Sequence, residues 1–337
     1  MHRASSLFNL LWRRRATRLC LILLACYTLA ALWGEGAYRL ARWRDRVPAY
    51  NRVREDWRYQ PPALVQIFAS SRLRVSSDPD QPQSTPVDPS QPQWEVENDK
   101  ARDNVFVPPE ARPFFLLGSD NLGRDVLQRL LQGTRIAFHV GVMTSLIALP
   151  LGVLLGCLGG YFGGRLDSLV VWLCATVSAV PGLLLILAIS LVAGKGLAGV
   201  TWGIGLTTWV GVCRSIRAEV LKHRGRTYVE AARVLGYSHA RILLRHILPN
   251  VMHIVLISFS IRFPAAVSTE VFVSFLGIGV QGEPSWGVML NNARLRLWQG
   301  VWWEMTFVTL AIFGLVLVFN VLTDRLRDLL DPDAATE

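Results

Sequence analysis

Charge is scarce in this 337-residue chain: only 18% of it is Asp, Glu, Lys or Arg, against about 25% in typical soluble domains. The scarcity is uneven. Residues 136–160 carry none of the four charged types, and residues 168–194 carry none either. Each run is long enough to cross a bilayer, which takes roughly 20 apolar residues. An ordinary soluble enzyme and general disorder are thereby excluded. Cysteine is also sparse. Cys20, Cys26, Cys157, Cys174 and Cys213 all fall inside or at the ends of apolar runs, with no CxxC or HxxxH-type spacing. A disulfide framework and a metal centre are not expected, and the thiols read as small apolar filler. A phosphate-binding G-x-x-x-x-G-K-[ST] loop is absent. Gly194-Lys195-Gly196 is the nearest fragment and lacks both the spacing and the hydroxyl. No cofactor is expected on this chain.

Six apolar segments are present. The first, Leu19–Trp33, can extend through Ala37, Tyr38 and Leu40; the others are Ile136–Tyr161, Ser168–Ala193, Leu197–Cys213, Val251–Gly279 and Val301–Leu322. The fourth is short and rich in Gly and Thr. Arg13, Arg14, Arg15 and Arg18 precede the first segment, a pattern shared by cleaved signal peptides and by membrane anchors. No small-x-small cleavage pattern follows, and an uncleaved anchor is expected. The net charge of +10 raises nucleic acid as a partner, but its placement points elsewhere. Arg3 to Arg18 at the start, the loop from Arg214 to Arg245, and Arg325 and Arg327 near the end hold most of the excess. With six spans all three fall on one side, which the positive-inside rule makes the cytoplasm. The partner implied is membrane lipid, with no nucleic acid.

Residues 41–115 then lie outside, where eleven basic and eleven acidic side chains balance. Asp78–Gln93, rich in Pro, Gln, Ser and Asp, reads as a solvated linker. Tyr50–Ser71 and Glu95–Phe115 are candidates for a small folded cap. The expected organisation is 1–40, cytoplasmic start and first span; 41–115, a partly disordered extracytoplasmic segment; 116–332, five spans and their loops; and 333–337, a tail. The fold class is all-α integral membrane.

The loop after the fourth span has its own logic. Thr227-Tyr228-Val229-Glu230 fits a capping box with Thr227 as N-cap, so a short helix is expected from Tyr228 to Leu235. Gly236 would end it. Ser238 can cap a second short helix running to Ile247, and Pro249 marks entry into the fifth span. Ala231 and Ala232 would let a partner approach closely. A basic amphipathic helix resting on lipid headgroups fits the same pattern, and spacing alone leaves both open.

Glu230-Ala231-Ala232, then Gly236, then Ile247-Leu248-Pro249 resembles the EAA loop of binding-protein-dependent ATP-binding-cassette permeases. Leu117-Gly118-Ser119-Asp120-Asn121-Leu122-Gly123-Arg124-Asp125 resembles the LGTDNLGRD segment of dipeptide and oligopeptide permeases of the second-subunit type. Tyr161–Asp167, Ser274–Gly279, Pro284–Gly287, Leu326–Asp328 and Leu330–Pro332 are similar to further segments of that family. The resemblance covers about residues 116–332. It implies a transporter subunit of a bacterial inner membrane, with both termini cytoplasmic, and not an enzyme. A homologous second permease would complete the pathway as a heterodimer. Two ATPase subunits would bind ATP and Mg, and an extracytoplasmic binding protein would deliver substrate. By the same resemblance Glu230, Ala231, Ala232, Gly236 and Pro249 form the ATPase-coupling site. Dipeptides, oligopeptides, nickel chelates and glutathione are all cargoes of relatives.

The chain also departs from the family. Relatives carry an Arg and an Asp in the third span where this chain has Trp172 and Ala175. Arg262 stands in the fifth span where relatives have a small residue. Charges inside spans face a cavity or a protein partner, so Arg262 and Glu270 are candidates for the pathway or the partner permease. They stand eight residues apart, about 12 Å along a helix and roughly 80° around it, too far to pair directly. His223, His239, His246 and His253 read as interfacial histidines. Trp286, Trp298, Trp302 and Trp303 read as an aromatic belt, or as a docking surface for the binding protein. A secondary transporter or channel would show paired ionisable groups in several spans. A membrane-anchored enzyme would show a constellation of acids and bases. Neither pattern is found.

Overall fold

The computed structural model describes residues 15–44, 48–54, 57–63, 65, 115–194 and 196–330. The linker Asp78–Gln93, most of the expected cap, Arg3, Arg13 and Arg14, and the tail 333–337 lie outside the described residues. Among the described residues the secondary structure is helical, with one isolated bridge between Ser119 and Asp125.

Helix α1 (Arg15–Trp43) and helix α2 (Val126–Phe162) are followed by α3 (Gly164–Ala179) and α4 (Gly182–Ala193). Then come α5 (Leu197–Arg224), α6 (Thr227–Val234), α7 (Leu248–Phe275), α8 (Trp286–Arg294) and α9 (Trp303–Leu330). Among the described residues four helical stretches are long and apolar enough to cross a membrane: Thr17–Trp43, Val126–Phe162, His239–Phe275 and Trp303–Leu329. The pair α3 and α4 makes a fifth if its 89° bend is counted within one span.

Two of the expected spans take a particular form here. Ser168–Ala193 is not one straight rod. Pro181 lacks the N–H that would continue α3, and Val180 before it is extended, so the chain turns and restarts at Gly182. The expected span Leu197–Cys213 is the first half of α5, a helix that does not reach the hydropathy of the others. Its interior position explains this. Val200, Ile204, Val212, Cys213, Ile216 and Val220 are all buried. A helix wrapped by protein needs small, well-packed residues more than lipid-soluble ones.

Glycine brings α5 close to α2. Gly152, Gly156 and Gly160 stand four residues apart on one face of α2. A Cβ on them would lie 2.8 Å from the Trp209 carbonyl oxygen, 2.7 Å from that of Cys213 and 2.9 Å from that of Arg217. Those three carbonyls are themselves four apart on α5. The two backbones are therefore in direct contact over two turns, the small-residue packing familiar from membrane helices. At its cytoplasm-expected end α5 is tied to the start of α3: Arg217 Nη2 donates to Asp167 Oδ2 at 2.7 Å, and Arg217 Nε to Asp167 Oδ1.

At the opposite end Arg135 of α2, 8% exposed, joins three segments. Its Nε donates to Glu35 Oε2 of α1 at 2.8 Å, its Nη1 to Glu283 Oε2 at 3.1 Å, and its guanidinium lies 3.7 Å from the Tyr38 ring centroid. Trp286 departs from the expected belt. It is 1% exposed, donates from Nε1 to the Leu130 carbonyl at 3.1 Å, and packs edge-on against Tyr27. Trp303 is buried as well, whereas Trp298 and Trp302 are exposed. Cys20, Cys157, Cys174 and Cys213 are buried and Cys26 exposed, all as free thiols.

The chain divides into two compact units, Met1–Arg52 with Gln128–Glu337, and Val53–Leu127. In the second unit the Leu117–Asp125 motif is a closed turn. Asp120 Oδ1 accepts from the backbone N–H of Leu122 and of Arg124, and Ser119 Oγ accepts from Gln60 N and donates to the Trp57 carbonyl.

Candidate functional site

The loop that carries Glu230, Ala231, Ala232, Gly236 and Pro249 is built on the end of α5. Helix α6 begins one residue earlier than the capping-box spacing implies. Arg226 is the N-cap, its carbonyl accepts from Val229 N and Glu230 N, and no side chain closes the terminus. Thr227 is already helical, so its hydroxyl is not placed to cap. The C-terminus follows expectation closely. Gly236 has φ +77°, Tyr237 N donates to the Ala232 carbonyl at 3.1 Å, and Gly236 N to the Arg233 carbonyl at 2.9 Å. This is the paired 6→1 and 5→2 closure of a Schellman turn, which requires the left-handed conformation at Gly236.

Helix α6 is rooted by one face only. Val229 and Ala232 are buried in a cluster with Tyr161, Ile216, Val220, Ile242 and Ile247. Ala232 therefore packs against its own chain, and the expectation that it lies open to a partner is corrected. Residues 229 and 232 share a face at helical spacing, so burying one buries the other. Glu230 and Ala231 are exposed, and so are Val234 at 89% and Leu235 at 70%. No Cβ at Gly236 would meet anything within 4 Å. The outward surface is thus Glu230, Ala231, Val234, Leu235 and Gly236. Sequence reasoning missed Val234 and Leu235. The signal was available, because two large apolar residues stand just before the capping glycine on the side opposite Val229.

After Gly236 the chain does not form a separate second helix. Ser238 caps a turn at His239–Arg241, its Oγ accepting from Arg241 N at 3.4 Å. A π-helical stretch, Ile242–Ile247, then runs straight into α7. Pro249 explains the π geometry: it has no N–H for the Arg245 carbonyl, and Leu248 N donates five residues back to Leu243. His239–Phe275 is consequently one continuous element of 37 residues.

Aromatic and histidine side chains brace the loop. Tyr161 Oη is 2.9 Å from His239 Nδ1, Tyr228 Oη is 2.8 Å from His223 Nδ1, and Tyr237 stacks on His246. Burial holds the His223 imidazole below its usual range, with Arg226 and His253 adding to the effect and Glu219 opposing it. Among the described residues no group of three His, Cys, Asp or Glu could hold a metal.

Arg262 and Glu270, both on α7, occupy different settings. Arg262 borders a small cavity of about 50 Å3 with Thr144, Ser145, Thr208 and Thr269. Its guanidinium lies over Gly211, whose Cβ, if present, would be 2.4 Å from Nη2. Glu270 is 1% exposed and faces inward, Oε1 accepting from Ser274 Oγ at 2.7 Å. Ser274 Oγ in turn accepts from Val280 N at 3.0 Å, which locks the chain leaving α7. The structure does not bring Arg262 and Glu270 together.

Membrane-crossing helices around a polar-lined notch, with a short surface helix rooted in their core, have the architecture of a membrane transport subunit. The chain belongs to the family described as binding-protein-dependent transport system inner membrane component, whose model matches residues 148–336. It is 38% identical over 227 residues to the dipeptide transport system permease protein DppC of Bacillus subtilis (strain 168), covering 67% of this chain and 70% of that protein. It is 39% identical to the glutathione transport system permease protein GsiD of Pectobacterium atrosepticum, over 64% of this chain and 72% of that one. To the oligopeptide transport system permease protein OppC of Bacillus subtilis it is 35% identical, over 68% and 74%. A solved inward-facing MetNI methionine ABC transporter aligns with 61% of this chain and 96% of that chain, at a TM-score of 0.49 and 17% identity. The chain is a non-enzymatic inner-membrane permease subunit of an ABC importer, a family that works with ATPase and substrate-binding partners.

Proposed function

We propose that this chain forms, with a homologous but different permease, the pathway for peptides or related small solutes, and that α6 couples it to the ATPase. The names of the relatives support the cargo class. The observation that carries the coupling role is the division of α6 into two faces, Val229 and Ala232 rooted in the core and Glu230, Ala231, Val234 and Leu235 outward. Isolated apolar side chains this exposed, on a helix so firmly held, fit insertion into a protein cleft. ATP and Mg belong to the two partner ATPase subunits. Both termini lie on the cytoplasmic side with α6, residues 41–115 form the extracytoplasmic segment, and a binding protein delivers substrate from there.

Leu235→Asp tests the coupling role. It places a charge at the contact without touching the core, and desolvating that charge costs several kcal/mol. The expected result is loss of ATPase subunits on co-purification and of uptake, with normal membrane insertion. Wild-type co-purification in Leu235→Asp would refute the assignment.

Arg262 is the pathway position. It has the cation, the neighbouring hydroxyls of Thr144, Ser145, Thr208 and Thr269, and a location within a span. Arg262→Ala is expected to lower uptake of carboxylate-bearing cargo by about tenfold, the loss of one charged contact of ~1.4 kcal/mol. ATPase co-purification should be unchanged. Unchanged uptake would remove Arg262 from the pathway. Glu270, enclosed by its own serine network, contributes by shaping the α7 end and not by meeting cargo.

A further inference from the structure

Two cavities lie along α1 and neither belongs to the coupling helix or the Arg262 notch. The upper one, about 310 Å3, is lined by the apolar and aromatic Trp33, Leu40 and Tyr50 and by the polar Arg44, Arg52 and Gln128. No acidic side chain among the described residues lines it. The lower one, about 450 Å3, is chiefly apolar, with Leu23, Ala30, Leu131 and Leu310 among its walls. The two share a face of α1. Cys26, Ala30, Trp33, Ala37, Leu40 and Arg44 follow one another at alternating steps of four and three, which keeps them in a single stripe.

We propose that this stripe is a binding site for one anionic phospholipid, with its phosphate at Arg44 and Arg52 and its acyl chain running down α1 to Ala30. The dimensions agree. Ala41 to Ala30 is eleven residues, about 16 Å of helix, and one leaflet's hydrocarbon is about 15 Å deep. Charge selects the headgroup. Two guanidiniums are available to a phosphate, Gln128 offers an amide to headgroup hydroxyls, and among the described residues the cavity lining holds no carboxylate for the ammonium of a zwitterionic lipid. Small side chains at Ala30 and Ala37 leave the room that a chain fills. The site needs only that α1 crosses the bilayer, so it stands apart from the assignment of α6 and of the cargo.

The test uses the full chain with its partner subunits in nanodiscs of phosphatidylcholine containing a minor fraction of phosphatidylglycerol, with retained lipid counted by mass spectrometry. Wild type is expected to retain phosphatidylglycerol over phosphatidylcholine. Arg44→Gln with Arg52→Gln should retain about thirtyfold less, from two headgroup contacts of surface strength. Ala30→Trp, which puts an indole into the lower cavity and leaves both arginines, should also lose it. Arg42→Gln, an exposed neighbour outside the cavity, should behave as wild type. Equal retention of the two lipids by wild type would overturn the proposal. So would full retention by Ala30→Trp, which would mean that a phosphate alone is held. A photo-crosslinker at position 37 that captures the partner permease instead of lipid would also overturn it.

Discussion

Gly236→Pro is expected to abolish uptake while leaving the protein inserted in the membrane. Proline fixes φ near −65° and has no N–H, whereas Gly236 sits at +77° and donates to the Arg233 carbonyl. Both closures of the turn fail together. Arg233 loses its donor, and Tyr237 can no longer reach Ala232. Helix α6 would then lose its defined end, and the outward residues Val234 and Leu235 would lose their fixed aim. The core contacts of α6 are untouched, because Val229 and Ala232 and the Tyr228–His223 pair all lie before the turn. Gly236→Ala is the graded control. It keeps the N–H and pays about 1–2 kcal/mol for the left-handed conformation, so uptake should fall partially. Uptake assays beside a protease-protection assay for insertion read both outcomes, and full uptake by Gly236→Pro would show that the turn does not matter.

Gly156→Leu is expected to prevent a stable subunit from forming. Its Cβ would lie 2.7 Å from the Cys213 carbonyl oxygen and 3.0 Å from the Ile216 Cβ. The first obstacle is backbone, so no rotamer change relieves it, and α2 and α5 must separate along their shared length. Overpacking a core costs typically 1–3 kcal/mol and sometimes more. A backbone clash at the middle glycine of three belongs at or above about 3 kcal/mol. Thermal denaturation and the yield of detergent-stable protein measure it. Gly182→Leu is the matched control, since a Cβ there meets nothing within 4 Å, and it should retain wild-type yield. Equal yields from the two variants would show that the α2–α5 contact is dispensable.

Much of this was legible in residue order. Apolar runs marked the rods of α1, α2, α7 and α9, and Gly236 and Ser238 marked the ends of their turns, because these features depend on a few neighbouring residues. What escaped depends on partners far away in the chain. Gly152, Gly156 and Gly160 are visible as a spacing, yet nothing local says that Trp209, Cys213 and Arg217 face them. Glu270 looked like a charge open to a pathway until Ser274 and Val280 closed around it. Trp286 looked interfacial until Leu130 supplied its acceptor. The inward turn of Ala232 follows from the packing of Ile242 and Ile247, residues that enter through a π-helical stretch the spacing did not show. The bend at Pro181 was audible in the proline, but neither its 89° angle nor the contact of α4 with α5 is written in neighbouring residues.

The continuity of His239–Phe275 gives the molecule a lever. Thirty-seven residues make a rod about 55 Å long. Its lower end touches α6 through Ile242 and Ile247, and its upper end holds the Glu270–Ser274 latch. Tilting such a rod by about 5° at one end displaces the other by about 5 Å, the scale of a helical turn. Under the coupling role proposed for α6, a small push there would arrive at the far end of the rod magnified, with Arg262 carried along partway up the arm.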